Sequence, residues 1–378
     1  MIPWLAELLA GNESFSFLRV GSYITVRAAG ALILSFGLSV LFGNRVIEYL
    51  RRLKVGQQIR DSQGDGAISL LEMHKEKAGR PTMGGVLMLG ALLVSAIIFG
   101  DWREPVFRLA VGMAAGFAVI GFIDDYRKVV RKNSAGLSAR GKLLGQTLLA
   151  AFLAIMMLTI HSGTTHYAHL GLTGTGYLAM PFLKDVVLPL GIFYIPFVIL
   201  ILMGTSNAVN LTDGLDGLAT GVTIPATLCF AVVAYLAGRT DMSAYLIIPH
   251  VQGAGELAVL MAALIGVCFG FLWFNVYPAV VFMGDTGSMM IGGLLGSVAI
   301  LLKQEVLLFI VGGVYVAEAL SVILQVSSYK LRGKRLFRMS PIHHHFEKLL
   351  IPEPRIMVRF WIVSALLALA GLSTLKLR

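Results

Sequence analysis

Phe197-Val198-Ile199-Leu200-Ile201-Leu202-Met203-Gly204-Thr205-Ser206-Asn207-Ala208-Val209-Asn210-Leu211-Thr212-Asp213-Gly214-Leu215-Asp216-Gly217 is an apolar run that ends in a polar, acidic turn with no basic residue inside it. A hydrocarbon core takes about 20 apolar residues per helix, and segment 187–206 supplies them up to the first Asn. Working outward, the same pattern recurs, so the expected spans are 22–43, 82–99, 105–123, 143–160, 187–206, 218–237, 257–275, 286–302, 305–328 and 357–375, about ten transmembrane helices. The 378 residues are 57% hydrophobic and only 14% charged, with a mean hydropathy of +0.80. Such a chain has too little polar surface to coat a soluble globule. The expected fold class is an all-α polytopic membrane protein. No connection is long enough to fold separately, so residues 1–378 read as one integral membrane domain whose function is built from helix ends and loops.

The basic residues set the sides. Of 31 Lys and Arg, 22 fall in segments 44–80, 124–142 and 329–359, which follow the first, third and ninth spans. They share one face, which the positive-inside rule makes cytoplasmic, with both termini outside. The net charge of +10 also suits anionic lipid or nucleotide substrates; nucleic acid is not an expected partner. Residues 1–16 have no basic n-region and no small-residue cleavage site, so the first span is expected to act as the signal. Cys229 and Cys268 both fall inside spans, which leaves no disulfide framework and no thiolate metal site. His161, His166 and His169 are too loosely spaced in a Gly- and Thr-rich outer loop to read as metal ligands.

Five carboxylates sit at water ends of spans on the predicted cytoplasmic face: Asp124, Asp125, Asp213, Asp216 and Asp285. A carboxylate there can hold a hard divalent cation while one substrate arrives from water and another from lipid. Asp124-Asp125-Tyr126-Arg127-Lys128 follows the third span directly. Adjacent carboxylates point different ways, so one can face a cleft while the other pairs with Lys128 or caps backbone. In the quoted turn, Asn207 with Asn210 and Asp213 with Asp216 stand three apart, on one face of a helix or tight turn, and Gly214 and Gly217 let a ligand approach the backbone. Asn275 and Phe282 lie in the next connection on that side, where Phe282-Met283-Gly284-Asp285-Thr286-Gly287-Ser288 opens a helix. Asp285 is placed to ligate magnesium whose other ligands are phosphate oxygens. His343-His344-His345 are consecutive and cannot converge on one zinc without distortion. Pyrophosphate contact or loop anchoring is the expected role. Glu318 lies deep in the ninth span and reads as a neutral group bonded to a neighbouring helix, outside the site, with Gln325 nearer the cytoplasm.

These blocks, with Pro81-Thr82-Met83-Gly84-Gly85 ahead of the second span, resemble the polyprenyl-phosphate N-acetylhexosamine-1-phosphate transferase family from Lys77 to Arg359. The His triplet resembles the branch that joins UDP-N-acetylmuramoyl-pentapeptide to undecaprenyl phosphate, releasing UMP and forming the first lipid-linked peptidoglycan precursor. The resemblance implies Mg2+ as cofactor, with Asp285 its ligand and Asp213 a second candidate. It implies Asp124, Asp125, Asp285 and His344 as catalytic residues, with Lys77, Lys128 and His344 near the phosphates. Thr82, Asn210, Asp213, Gly214, Leu215, Asp216, Asn275, Phe282, Gln325, His343 and His345 complete the implied substrate contacts. A homodimer in the bacterial inner membrane, with its active site cytoplasmic, is implied as well. Arg80 departs from the pattern, where a smaller residue such as Thr is expected.

The same chemistry on UDP-N-acetylglucosamine is the nearest alternative, and the His triplet argues against it. A secondary transporter using Glu318 and the aspartates as an ion relay is a second; the lack of an internal repeat weighs against it. A membrane scaffold, the third, needs no metal and would tolerate Asp285→Asn.

Overall fold

The computed structural model describes residues 1–4, 20–53, 79–129, 136–160, 165–167, 170–180, 182–183 and 186–376. Its helices are α1 (Ile24–Arg52), α2 (Gly85–Phe99), α3 (Pro105–Val129), α4 (Ala139–Ile160), α5 (Tyr194–Thr212), α6 (Leu218–Ala237), α7 (Thr240–Leu246), α8 (Ala254–Asn275), α9 (Gly284–Leu301), α10 (Glu305–Val311), α11 (Gly313–Arg332), α12 (Ile342–Glu347) and α13 (Glu353–Thr374). Among the described residues eight helices are long and apolar enough to cross a membrane, or nine if the bent pair α10 and α11 counts as one span. The second expected span, 82–99, is α2, which is apolar but has only 15 residues. The all-α polytopic class stands.

Three local expectations change. The ninth span is not one helix: α10 and α11 meet at Gly312 with a bend of 83°, where Gly312 and Gly313 interrupt the helix. The fifth span starts late, because Val187–Pro189 forms a short strand against Tyr177–Ala179 and α5 begins only at Tyr194. Pro189 offers no N–H to a helix there. The third span runs on past residue 123 to Val129, so Asp124 and Asp125 are helical, with Lys128 paired one turn on to Asp124 at 2.5 Å.

α8 and α9 form the centre. The best apolar windows of these helices are 83% and 89% buried, against 22% for α1 and 28% for α4 and α13. Helices that are apolar on every side belong inside a bundle. α8 packs on α1 and α6, and α9 packs on α3 and α5. Glycines allow the closest crossings. A Cβ on Gly121 would lie 2.2 Å from the Asp285 carbonyl, and one on Gly85 would lie 2.1 Å from the Gly287 nitrogen. Both contacts press α2 and α3 onto the first turn of α9. Gly121→Ala is expected to lower the melting temperature in detergent, at an overpacking cost of about 1–3 kcal/mol. An unchanged midpoint would show that this crossing is slack.

The far end of the bundle is pinned by charge. Arg27 donates from both terminal nitrogens to Glu256 at 2.6 Å each. The buried Lys303 ammonium donates to Thr175 O at 3.0 Å, Tyr194 Oη at 2.8 Å and Glu305 Oε1 at 2.6 Å, which uses all three of its protons. The short strands Thr165–Tyr167, Leu172–Thr173 and His250–Val251 pair at this end. The Met1 amino group donates to Ile97 O near the end of α2, and Lys376 lies over the Tyr245 ring, so both described chain ends sit at the end opposite the acidic turns.

Candidate active site

The opposite end gathers the C-termini of α3, α5 and α8 with the N-terminus of α9. Gly284, at φ 73°, starts α9 in a conformation that suits glycine. Asp125 then caps this helix from α3: Oδ1 accepts the Asp285 N–H at 3.1 Å, and Oδ2 accepts the Thr286 N–H at 2.9 Å and its hydroxyl at 2.7 Å. An N-terminal turn offers unsatisfied N–H groups and a favourable dipole to such an anion. The neighbouring Asp124 makes different bonds, accepting the Leu137 N–H at 2.6 Å and pairing with Lys128, with its carboxyl against that of Asp285.

Asp285 is the centre of the cluster. Its Oδ2 accepts from Lys128 Nζ at 3.0 Å and Lys142 Nζ at 2.9 Å, and its Oδ1 accepts from Asn210 Nδ2 at 2.9 Å. Asn210 is fixed in turn by Ser288 Oγ at 2.8 Å and by Lys142 at 3.4 Å. The half-buried Asp213, just past α5, faces the same group. Desolvation, then the carboxylates of Asp285, Asp125 and Asp216, push its pKa well above the usual carboxylate range, against the Gly284 N–H that favours its charge.

Asp216 and Asn275 serve the backbone. Asp216 Oδ2 accepts the Ala279 N–H at 2.9 Å and Arg80 at 3.3 Å, and the Asp216 N–H donates to Glu353 Oε1 at 2.8 Å. Asn275 Oδ1 accepts from the Gly217 N–H and Thr220 Oγ1, each at 3.1 Å, while its Nδ2 donates to Val281 O at 2.9 Å. These bonds tie the turn after α5 to the loop after α8. Phe282, half-buried, donates its N–H to Pro81 O and accepts from Gly84 N, both at 2.9 Å. The half-buried Thr82 lies beside Gly284, where a Cβ would meet its Oγ1 at 3.0 Å. Leu215 is in the core and Gly214 is exposed. Arg80 therefore has a partner, in a cavity of about 330 Å³ that it shares with Arg51, Gly79, Pro81, Ala279 and Val280.

The histidines lie on α12. His343 is fully buried, with Nδ1 3.1 Å from Glu318 Oε2, and its ring covers Gly214, where a Cβ would sit 2.2 Å from Nε2. His344 Nδ1 pairs with Glu347 at 2.5 Å, and His345 Nδ1 accepts the Arg338 N–H at 3.1 Å. Gln325 accepts from Leu336 N and Phe337 N and donates to Phe337 O, so it holds the loop before α12. Lys77 lies outside the described residues. The structure thus brings Asp124, Asp125, Lys128, Asn210, Asp213 and Asp285 together, joins His343 to them through Gly214, and leaves Gln325 on α11 and His345 on α12, bonded to the segment between those helices.

Lys142 is the member that sequence reading passes over. In segment 124–142 it reads as topology charge, yet Lys142 and Gln146 stand four apart on a largely apolar helix, and Gln146 Oε1 accepts from Asn207 Nδ2 at 3.0 Å. That polar stripe was the available signal.

Asp124 and Asp285 pair with Lys128, Asp285 also with Lys142, and the carboxyls of Asp125 and Asp213 lie close to Asp285. Among the described residues no three His, Cys, Asp or Glu side chains form a metal cage. The surplus of carboxylate over cation fits a hard divalent ion whose remaining ligands are phosphate oxygens and water. Residues 107–303, just over half of the chain, match the family described as glycosyl transferase family 4. The chain belongs to that family of polyprenyl-phosphate sugar-1-phosphate transferases.

Proposed function

We propose that the protein transfers phospho-N-acetylmuramoyl-pentapeptide from its UDP derivative to undecaprenyl phosphate, at the cytoplasmic face of a bacterial inner membrane, as a Mg2+-dependent homodimer. The observation that carries this reading is Asp285 held by Lys128 and Lys142 at one end of the bundle, beside the acidic Asp213. The His343–His345 helix, whose first ring lies on Gly214, supports the muramoyl branch over UDP-N-acetylglucosamine.

The residues suit a displacement at phosphorus. A lipid phosphate oxygen attacks the β-phosphorus of the nucleotide sugar, the bond from that phosphorus to the bridging oxygen breaks, and UMP leaves with the electron pair. Lys128 bonds Asp124 and Asp285, and Lys142 bonds Asp285 and Asn210. Among the described residues each ammonium has two partners, which leaves a third N–H for a diphosphate oxygen. Asp285, with Asp213 as second ligand, would hold Mg2+, which supplies neutralisation of the charge that gathers on the leaving UMP. The lipid phosphate, with a second pKa near about 6, is already largely ionised at neutral pH, so Asp124 is assigned to orienting it rather than to removing a proton. Direct attack by the lipid phosphate is the proposed path, and a path through a phosphorylated Asp285 is the competing one.

Purified protein given Mg2+, undecaprenyl phosphate and either UDP-N-acetylmuramoyl-pentapeptide or UDP-N-acetylglucosamine is expected to release UMP only with the first, and not after chelation. Release with the second nucleotide alone would move the protein to the other branch. Accumulation of substrate in proteoliposomes without UMP would favour a transporter. UMP exchange into substrate without lipid would establish the two-step path instead.

A further inference from the structure

Glu318 and His343 stand apart from the other buried charges. Arg27 with Glu256 and Lys303 with Glu305 are aligned, hydrogen-bonded pairs at the far end. Glu318 and His343 have no exposed side-chain surface and approach to 3.1 Å, yet none of their four polar atoms has an aligned hydrogen-bond partner. Buried polar groups left in this state cost stability. A small rotation of the ring would align Nδ1–H with Oε2. The other ring nitrogen faces the α-carbon of Gly214, where no acceptor waits. An Nε2–H there would be a stranded donor, whereas a bare Nε2 beside a C–H group is a weak favourable contact.

The bend at Gly312 swings α11 out of the line of α10 and carries Glu318 to α12. His343 then bridges α11 to the turn between α5 and α6, whose next residue back, Asp213, faces Asp285. A carboxylate that fixes the tautomer and orientation of an imidazole is a recurrent way of holding a site in shape.

We propose that Glu318 is a positioning residue that sets the tautomer and seat of His343 on Gly214, and through it holds the Asp213–Gly214 turn on the nucleotide side of the site. The steady-state part of the test rests on the transferase reading. Glu318→Leu is expected to raise KM for the nucleotide sugar about tenfold and to leave KM for undecaprenyl phosphate unchanged. Glu318→Gln, which keeps an acceptor for Nδ1–H, is expected to restore KM to near the wild-type value. A Glu318→Leu variant that lowers only kcat, with both KM values intact, would reduce Glu318 to a folding element and overturn the proposal. So would a Gln variant as impaired as Leu. A second readout does not need turnover: 15N-histidine spectra, with His343 assigned by its loss in His343→Gln, should show the proton on Nδ1 in the wild type and a shifted resonance in Glu318→Leu. A neutral ring protonated on Nε2 would overturn the proposal. If the wild type transfers no sugar phosphate while the spectrum behaves as stated, the transferase reading fails and the positioning role stands.

Discussion

Asp285→Asn is expected to cut UMP release by about 10³-fold, the scale on which loss of one fixed electrostatic partner acts at a reacting centre. The change is isosteric, and an amide oxygen can still accept from Asn210 or from one lysine, so the bundle should keep its melting temperature to within a few degrees. What disappears is the negative charge that draws Lys128 and Lys142 to one oxygen at 3.0 and 2.9 Å. The two ammonium groups then repel each other, and the proposed metal site loses its principal ligand. Measuring UMP release and thermal unfolding on the same preparation separates the two effects. Activity above a tenth of wild type would remove Asp285 from the chemistry, and chelator-resistant activity in the wild type would remove the metal.

The helical class and most of the span positions were legible because hydropathy reports directly which segments avoid water. The failures were local. Gly312-Gly313 looked like two more residues of an apolar span, since hydropathy does not weigh backbone freedom, and the structure bends by 83° there. Pro189 and Gly191 weigh as little in hydropathy, and α5 begins at Tyr194. In the site, a run such as 207–217 announces itself because two Asn and two Asp at the end of an apolar helix, with no Lys or Arg in the run, have few structural uses. The partners of those residues are harder to read. Lys142 sits 143 residues from Asp285 and looks like ordinary interfacial charge. Glu318 looked isolated because its neighbour, His343, comes from another helix. Spacing along a chain shows which groups can share a face, and long-range pairing depends on how bent helices meet.

Asp124 and Asp125, adjacent in sequence, are expected to fail in different ways. Asp125 accepts three hydrogen bonds from the first turn of α9, two from backbone N–H groups and one from the Thr286 hydroxyl, and it is buried. Asp125→Ala strands those donors, with an expected loss of about 2–4 kcal/mol from an N-terminal cap and buried unsatisfied groups. Asp125→Asn keeps one acceptor oxygen and should recover much of that stability and, because Asp285 is then still held in place, much of the activity. Asp124 makes one backbone bond, to Leu137, and shares Lys128 with Asp285. Its replacement by Asn should cost no more than about 1 kcal/mol of stability, since the Leu137 N–H keeps an acceptor. UMP release should nevertheless fall by about 10²-fold or more, because Lys128 loses one of the two charges that aim it at the diphosphate. Melting temperature and kcat measured for the three variants distinguish the roles. If Asp125→Asn were catalytically dead at full stability while Asp124→Asn stayed active, the residue facing the reacting phosphates would be Asp125, and the cap on α9 would have to be reassigned as a contact made only in the absence of substrate.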